Sequence, residues 1–285
     1  MLSLFTTSIE LGLLYSFLAL SVYLTYRVID YPDLSVDMSS TTGAGTFVVL
    51  TLSGWNPFIA IICGCIVAGL AGFATGFLHK KLGINPILSG VLTLSIFYTI
   101  NLRIMGRPNL SLLSHNNLIP FLGSLNAHLP KIIFLLIIVF GVKFLIDFFL
   151  KTELGLITQA VGKNESVVKS LGNNPKNIKI LVLFLASFLF GIGAIFTAQY
   201  QGFVDINGGI GNIIVGIASL MLGEAIFKPQ KISTYTLSAI IGSICYEFII
   251  NIVLRLGLSS SDIKLFTALI VIFAIISRKN IKQNE

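Results

Sequence analysis

Charge is what this sequence has least of. Of its 285 residues only 11% are charged, while 55% are hydrophobic and mean hydropathy is +0.92. Soluble domains carry about 25% charged residues. A water-facing surface cannot be built from this composition, so lipid must cover most of the chain. Residues that carry catalytic or metal chemistry are also sparse. His79, His115 and His128 are isolated and lack the His-Glu-x-x-His spacing of a zinc site. Cys63, Cys65 and Cys245 all lie in apolar runs. Their odd number excludes a closed disulfide framework, and Cys63-x-Cys65 has no second pair with which to hold zinc. They read as small packing residues. A Gly-x-Ser-x-Gly elbow is missing, since Gly54 is followed by Trp55 and Gly242-Ser243 lacks the flanking pattern. The nearest approach to a phosphate-binding loop is Gly155…Gly162-Lys163-Asn164. It has six residues between the glycines where the loop needs four, and Asn where Ser or Thr should hold magnesium. No cofactor, no metal, no ATP site and no enzymatic activity are therefore expected of this chain. Nucleic acid is excluded as well: the net charge is +7, but there is no Arg-rich helix, zinc-finger spacing or aromatic stacking motif.

What the sequence does have is long apolar runs. They predict an all-α polytopic transmembrane bundle of about eight to nine spans, at about 8–29, 57–78, 84–105, 131–150, 180–199, 211–227, 234–256 and 264–277. The first run is too long for a signal-peptide core and has no small-residue cleavage site, so it reads as an uncleaved span. A shorter Gly- and Ser-rich run at about 39–53 predicts a half-helix or a helix packed by protein rather than lipid. Lys and Arg sit at the ends of these runs, where they act as topology signals and attract anionic headgroups. If the loops at 79–83, 151–179 and 228–233 and the C-terminal tail face the cytoplasm, that side holds Arg27, Lys80, Lys81, Lys151, Lys163, Lys169, Lys176, Lys179, Lys228, Lys231, Arg278, Lys279 and Lys282. The outer side then holds Arg103, Arg107, Lys131, Arg255 and Lys264. This asymmetry favours the orientation, and alternation then requires the 39–53 segment to count as a crossing, which makes nine.

The stretch 151–179, KTELGLITQAVGKNESVVKSLGNNPKNIK, is long for a featureless connection. Leu154, Ile157, Val161, Val167, Val168 and Leu171 recur at helical spacing, which predicts short amphipathic helices broken at Gly162 and Gly172. An internal similarity also shows. Tyr31-Pro32-Asp33-Leu34-Ser35 follows the first span and Phe203-Val204-Asp205-Ile206-Asn207 follows the span at 180–199. Each leads into a glycine-containing apolar helix, as an inverted repeat would require. Charges inside a bilayer are expensive and usually face a partner or an aqueous cavity. Lys143 and Asp147 are spaced i, i+4 and can neutralise each other, and Glu10 is expected at the outer interface. Asp33, Arg103 and Asp205 border glycine- or proline-broken segments, where unwound backbone is expected to line a path. With Asn101, Gln201 and Asn207 from the same segments they are the candidate translocation residues.

Residues 151–176 resemble the cytoplasmic loop of the branched-chain amino acid and ribose family of ATP-binding-cassette (ABC) importer permeases, of the form T-x-L-G-x-x-x-R-A-x-G-x-N-x-x-x-A-x-x-x-G-x-N. Thr152, Leu154, Gly155, Ala160, Gly162, Asn164, Gly172 and Asn174 match, with Gln159 where the family has Arg and Val168 where it has a small Ala. Segments 12–45, 100–111 and 201–205 extend the resemblance to an uncharacterised, amino-acid-type subfamily. The resemblance implies a single permease domain over 1–285 in the bacterial plasma (inner) membrane. The eight matching residues would then couple it to a separate ABC ATPase subunit. It further implies a substrate-binding protein that hands over a small solute such as an amino acid, and a second permease copy, most simply as a homodimer. The competing expectation is an ion-coupled secondary transporter, with Asp33, Asp205 or Glu224 as ion sites.

Overall fold

A computed structural model describes residues 2–112, 128–257 and 262–272, with side chains from Phe5 onward. His115, Asn116, Asn117 and Pro120 lie outside the described residues, as do Arg278, Lys279 and Lys282. Of the described residues, 83% are helical. Helix α1 (Leu2–Val22) continues into a π-helical turn (Tyr23–Val28), followed by α2 (Val36–Leu52), α3 (Pro57–Leu82), α4 (Pro86–Met105) and strand β1 (Asn109–Ser111). Next come α5 (His128–Lys151), two short helices α6 (Glu153–Lys163) and α7 (Glu165–Ser170), α8 (Pro175–Gln201), strand β2 (Phe203–Asp205), α9 (Asn212–Phe227), α10 (Ile232–Arg255) and α11 (Ile263–Ile272).

Among the described residues six helices are long and apolar enough to cross a membrane: Phe5–Val28, α3, α4, α5, α8 and α10. Adding the shorter α2, α9 and α11 recovers the nine expected segments; the last part of the span expected at 264–277 lies outside the described residues. The boundaries follow local chemistry. Helices α3, α4 and α8 each open on Asn-Pro, where the Asn side chain accepts the N–H of Phe58, Ile87 or Lys176 at 2.9–3.1 Å. Proline in the first helical turn loses no hydrogen bond, because that N–H is unpaired anyway. Helices α3 and α8 close on Gly83 and Gly202, at φ +66° and +79°, the left-handed end that glycine adopts without strain.

The helices gather into two compact units, each assembled from separated stretches of chain. One holds residues 24–126 and 149–212. In it α3 packs along α8, with Gly69 against the Phe184 ring and Gly72 against Leu183 and Ser187. Helix α2 is enclosed by α3, α4 and α8 and is buried along most of its length, including Ser39, Ser40, Thr41 and Thr42. Those hydroxyls turn inward to their own helix: Ser39 donates to Val36 O at 2.8 Å, Ser40 to Asp37 O at 2.8 Å and Thr42 to Met38 O at 2.7 Å. A helix this polar is stable at membrane depth because protein, not lipid, surrounds it. Strands β1 and β2 form an antiparallel pair, Asn109 opposite Asp205. Lipid-facing character shows on α3, where Phe58, Ile62, Ile66, Leu70, Phe73 and Phe77 form an exposed stripe one turn apart.

The other unit holds residues 1–23, 127–148 and 213–285. Here α1 packs on α10, with Gly12 against Ile244 and Ser243 Oγ donating to Gly12 O at 2.8 Å. Helix α9 crosses α10 through small residues, Gly223 against the Ser238 carbonyl and Gly242 against that of Ser219. Close backbone approach of this kind is how membrane helices gain packing contact without a hydrophobic driving force. Lys143 and Asp147 pair at 2.6 Å, and Thr236 Oγ1 donates to the second Asp147 oxygen at 2.7 Å. Glu10, expected at the outer interface, is 1% exposed and lies 3.0 Å from His128 Nδ1. The histidine supplies the partner that burial of a carboxylate demands.

Candidate functional site

Helix α5 ends at Lys151 and the chain reverses at once. Thr152 caps α6, its Oγ1 accepting from Gly155 N at 3.3 Å and donating to Phe149 O at 2.7 Å. The reversal leaves no room at Gly155, where a Cβ would overlap the Phe149 carbonyl. Gln159, standing where the family pattern has Arg, turns back rather than outward. Its Nε2 donates to Leu150 O at 2.8 Å and Gly155 O at 3.3 Å, and so serves a carbonyl left open at the end of α5.

The first break differs from the expected one. Helix α6 runs through Gly162 to Lys163, and the chain leaves helical geometry at Asn164 (φ −161°, ψ 103°). Asn164 Oδ1 accepts from Ser166 N at 3.0 Å and Ser166 Oγ at 2.8 Å, which starts α7. Asparagine competes for backbone donors in this way and interrupts helices. Gly162 serves close contact instead, since a Cβ there would overlap the Val28 carbonyl oxygen and sit 3.1 Å from Ile29 Cα. It lets α6 lie directly on the backbone that leaves the π-helical turn. The second break falls where expected, at Gly172 with φ +79°. Asn174 then caps α8. On α6 and α7 the buried side is Gly155, Thr158, Val161 and Val168, and Ala160 is half-buried. Leu154, Leu156, Val167 and Leu171 are all about half exposed or more. They stand among Lys151, Lys163, Lys169 and Lys176, which are exposed too. Glu165 is held by Lys179, 2.6 Å away. That hydrogen bond, with the Lys179 and Lys169 charges, keeps the Glu165 carboxyl below its ordinary range.

The candidate pathway residues do not converge on one spot. Asp33 is 1% exposed just ahead of α2; its Oδ1 accepts from Ser35 N at 2.9 Å and Ser35 Oγ at 2.6 Å. Its Oδ2 has no hydrogen-bond partner among the described residues. Asn101 is buried against α2, donating to Met38 O at 3.3 Å, and its Oδ1 is likewise unpartnered among the described residues. Asp205 accepts from Asn207 N at 2.8 Å and from Asn109 Nδ2 at 3.3 Å. Gln201 and Asn207 are exposed on either side of β2. Arg103 is exposed on α4, where with Ser95 and Thr99 it lines a shallow depression of about 450 Å³.

Two groups outside the candidate set are central to the observed geometry. Asp37, in the first turn of α2, accepts from Gly211 N at 2.8 Å, and Gly209 lies so close that a Cβ would overlap the Asp37 carbonyl. The sequence signal for this is the Gly208-Gly209-Ile210-Gly211 run, in which Gly209 permits the close approach and Gly211 takes φ +96°. Lys179 reads from the sequence as a topology charge alone, although it sits inside the apolar start of α8.

A bundle of apolar, membrane-length helices around a buried polar helix has the build of a membrane transport protein. The chain belongs to the family described as the permease component of the branched-chain amino acid transport system, which it matches over residues 4–276. It is 41% identical over 265 residues to the tyrosine transport system permease protein of Clostridioides difficile (strain R20291), covering 92% of this chain and 86% of that one. It is 31% identical over 277 residues to the uncharacterized protein RP368 of Rickettsia prowazekii (strain Madrid E), covering 96% and 97%. With the fructose import permease protein FruF of Bifidobacterium longum (strain NCC 2705) it shares 25% identity over 246 residues, 84% of this chain and 67% of that one. No solved structure matches it. The chain is thus an ABC-type importer permease for a small solute such as an amino acid, and a multi-pass inner-membrane protein. Its family consists of transport components, which in general associate with an ATPase and a substrate-binding protein.

Proposed function

We propose that residues 1–285 form one permease domain that passes an amino acid with an aromatic side chain, at the expense of ATP hydrolysed by a separate subunit. The family match, which runs unbroken over residues 4–276, supports the single domain. In this reading Thr152, Leu154, Gly155, Ala160, Gly162, Asn164, Gly172 and Asn174 shape the coupling element within the cytoplasmic loop 151–179. The single observation that carries it is the α6–α7 pair, which offers apolar side chains among lysines on one side and rests through Gly162 on the chain entering α2. A rigid helix seated this way can act as a lever. The aromatic preference comes from the clostridial relative's name alone. Asp33 and Asn101, with buried unpartnered acceptors, support a path beside α2, because such atoms are rare in folded interiors and call for a role. Asp205, Asn207, Gln201 and Arg103 would serve its outer part.

Because ATPase subunits of this type act as dimers, two coupling elements are required, and the second permease copy is taken to be identical. The polar row Ser95, Thr99 and Arg103 on an exposed helix face supports burial against such a copy or against water, since lipid disfavours it. The ion-coupled alternative gains nothing from Asp205, both of whose carboxylate oxygens accept hydrogen bonds. The test is nucleotide hydrolysis by the purified chain, alone and co-assembled with its ATPase. Activity only on co-assembly is the expected result; robust hydrolysis by the chain alone would overturn the reading.

A further inference from the structure

The contacts of the coupling element do not stop at Gly162. Lys179 lies in the first turns of α8, is 8% exposed, and has its Nζ 2.6 Å from Glu165 Oε1 in the first turn of α7. A buried ammonium requires such a partner. The same Nζ lies 5.8 Å from the centroid of the Tyr31 ring, within reach of a cation–π attraction. Tyr31 is itself fully buried. Its hydroxyl is 2.6 Å from Ser89 Oγ at the start of α4, and its ring meets His79 edge-on at 5.4 Å at the end of α3. Clamped on those sides, Tyr31 moves only with its backbone, and two residues further on is Asp33.

The coupling element therefore touches the segment ahead of α2 at two places. Helix α6 bears on Val28 and Ile29 through Gly162, and α7 reaches Tyr31 through Lys179. Between them lies Asp30, a non-glycine residue at φ +50°. Contacts on both sides of a residue in a sparsely populated conformation can shift it between arrangements.

We propose that Lys179 is a positioning residue that ties α7 to Tyr31, so that displacement of α7 by the ATPase is delivered to Tyr31–Ser35 and the entry of α2. The inference rests on the proposed function. It assigns Glu165, Lys179 and Tyr31 to the coupling of transport rather than to the binding of either partner. A staple that merely held the loop together would lower hydrolysis and uptake in parallel; the relay changes their ratio.

The test uses the full complex in proteoliposomes, measuring amino-acid uptake per ATP hydrolysed for the parent chain, Glu165→Gln, Lys179→Met and Lys179→Arg. Glu165→Gln alters one atom on a partly exposed side chain, so folding is not at stake. Both neutralising variants should assemble and hydrolyse ATP while uptake per ATP falls about tenfold. Lys179→Arg, which keeps both charge contacts, should retain most of the coupling. An unchanged ratio in Glu165→Gln and Lys179→Met, whether both rates are normal or both are reduced, would overturn the relay. A parent chain that recruits no ATPase would instead contradict the proposed function, and that result is read without any variant.

Discussion

Gly162 and Asn164 share between them what the sequence pattern assigns to a single glycine. Periodicity locates two helices but not the residue that separates them, because a glycine can mark either a turn or a close contact, and only packing distinguishes these. Gly162→Val should insert and express at the parent level, since the substituted residue itself lies outside every candidate span. It should lose uptake, because α6 can no longer lie on Val28. Normal uptake at normal expression would show that this seat is dispensable. Asn164→Ala removes a cap worth about 1 kcal/mol, so amide exchange in α7 should accelerate while α6 is unaffected. Glu165 adds a pH dependence of known sign. Its folded carboxyl titrates below the ordinary 4.5, chiefly because of the Lys179 hydrogen bond. Its contribution to docking α7 is thus complete above that value and is lost as pH falls through the lower folded one. Amide protection of α7, corrected for intrinsic exchange, should be flat from about pH 8 to about pH 5 and fall only below 4.5. A loss centred near neutrality would mean another group holds the helix.

Among the elements, the correspondence between the two halves of the chain goes further than the five matched positions. Asp33 and Asp205 each accept the backbone N–H two residues on, at 2.9 and 2.8 Å. Each of these turns precedes a short helix, α2 or α9, of 17 or 16 residues. In one unit α8 lies on α3 and α2 packs on α3; in the other α1 lies on α10 and α9 crosses α10. The pairs map onto one another if α1 through α4 correspond to α8 through α11, which supports the repeat. This was only half legible, because the shared residues are small ones whose meaning lies in contacts distant in sequence. Gly43 of α2, whose carbonyl meets Gly64 of α3, holds the place of Ser219 in α9, whose carbonyl meets Gly242 of α10. Gly223→Leu should therefore destabilise the fold, at least by the about 1–3 kcal/mol of ordinary overpacking, since its Cβ would overlap the Ser238 carbonyl. Gly141→Ala, with nothing within 4 Å and no positive φ, should be neutral or stabilise by about 0.5–1 kcal/mol. Thermal unfolding in detergent compares the two; equal midpoints would mean that the α9–α10 crossing is not close-packed.

At the scale of the molecule, the apolar spans were readable from hydropathy and the family from the resemblance of residues 151–176, since each is a local property of the chain. The meeting of Asp37 with Gly209 and Gly211 was not, because it joins positions more than 170 apart in sequence. Orientation rests on the lysine and arginine asymmetry, so an impermeant thiol reagent should spare cysteines placed at Lys80 and Gln230 in intact cells. Labelling at either site would reverse the topology. The central claim, that this permease is driven by a partner ATPase through the 151–179 loop, is tested most directly in liposomes containing the chain, its ATPase and its binding protein. The account predicts accumulation of a labelled amino acid such as tyrosine only with hydrolysable ATP and all three proteins present. Uptake by the chain alone, driven by an imposed proton or sodium gradient and indifferent to ATP, would contradict it.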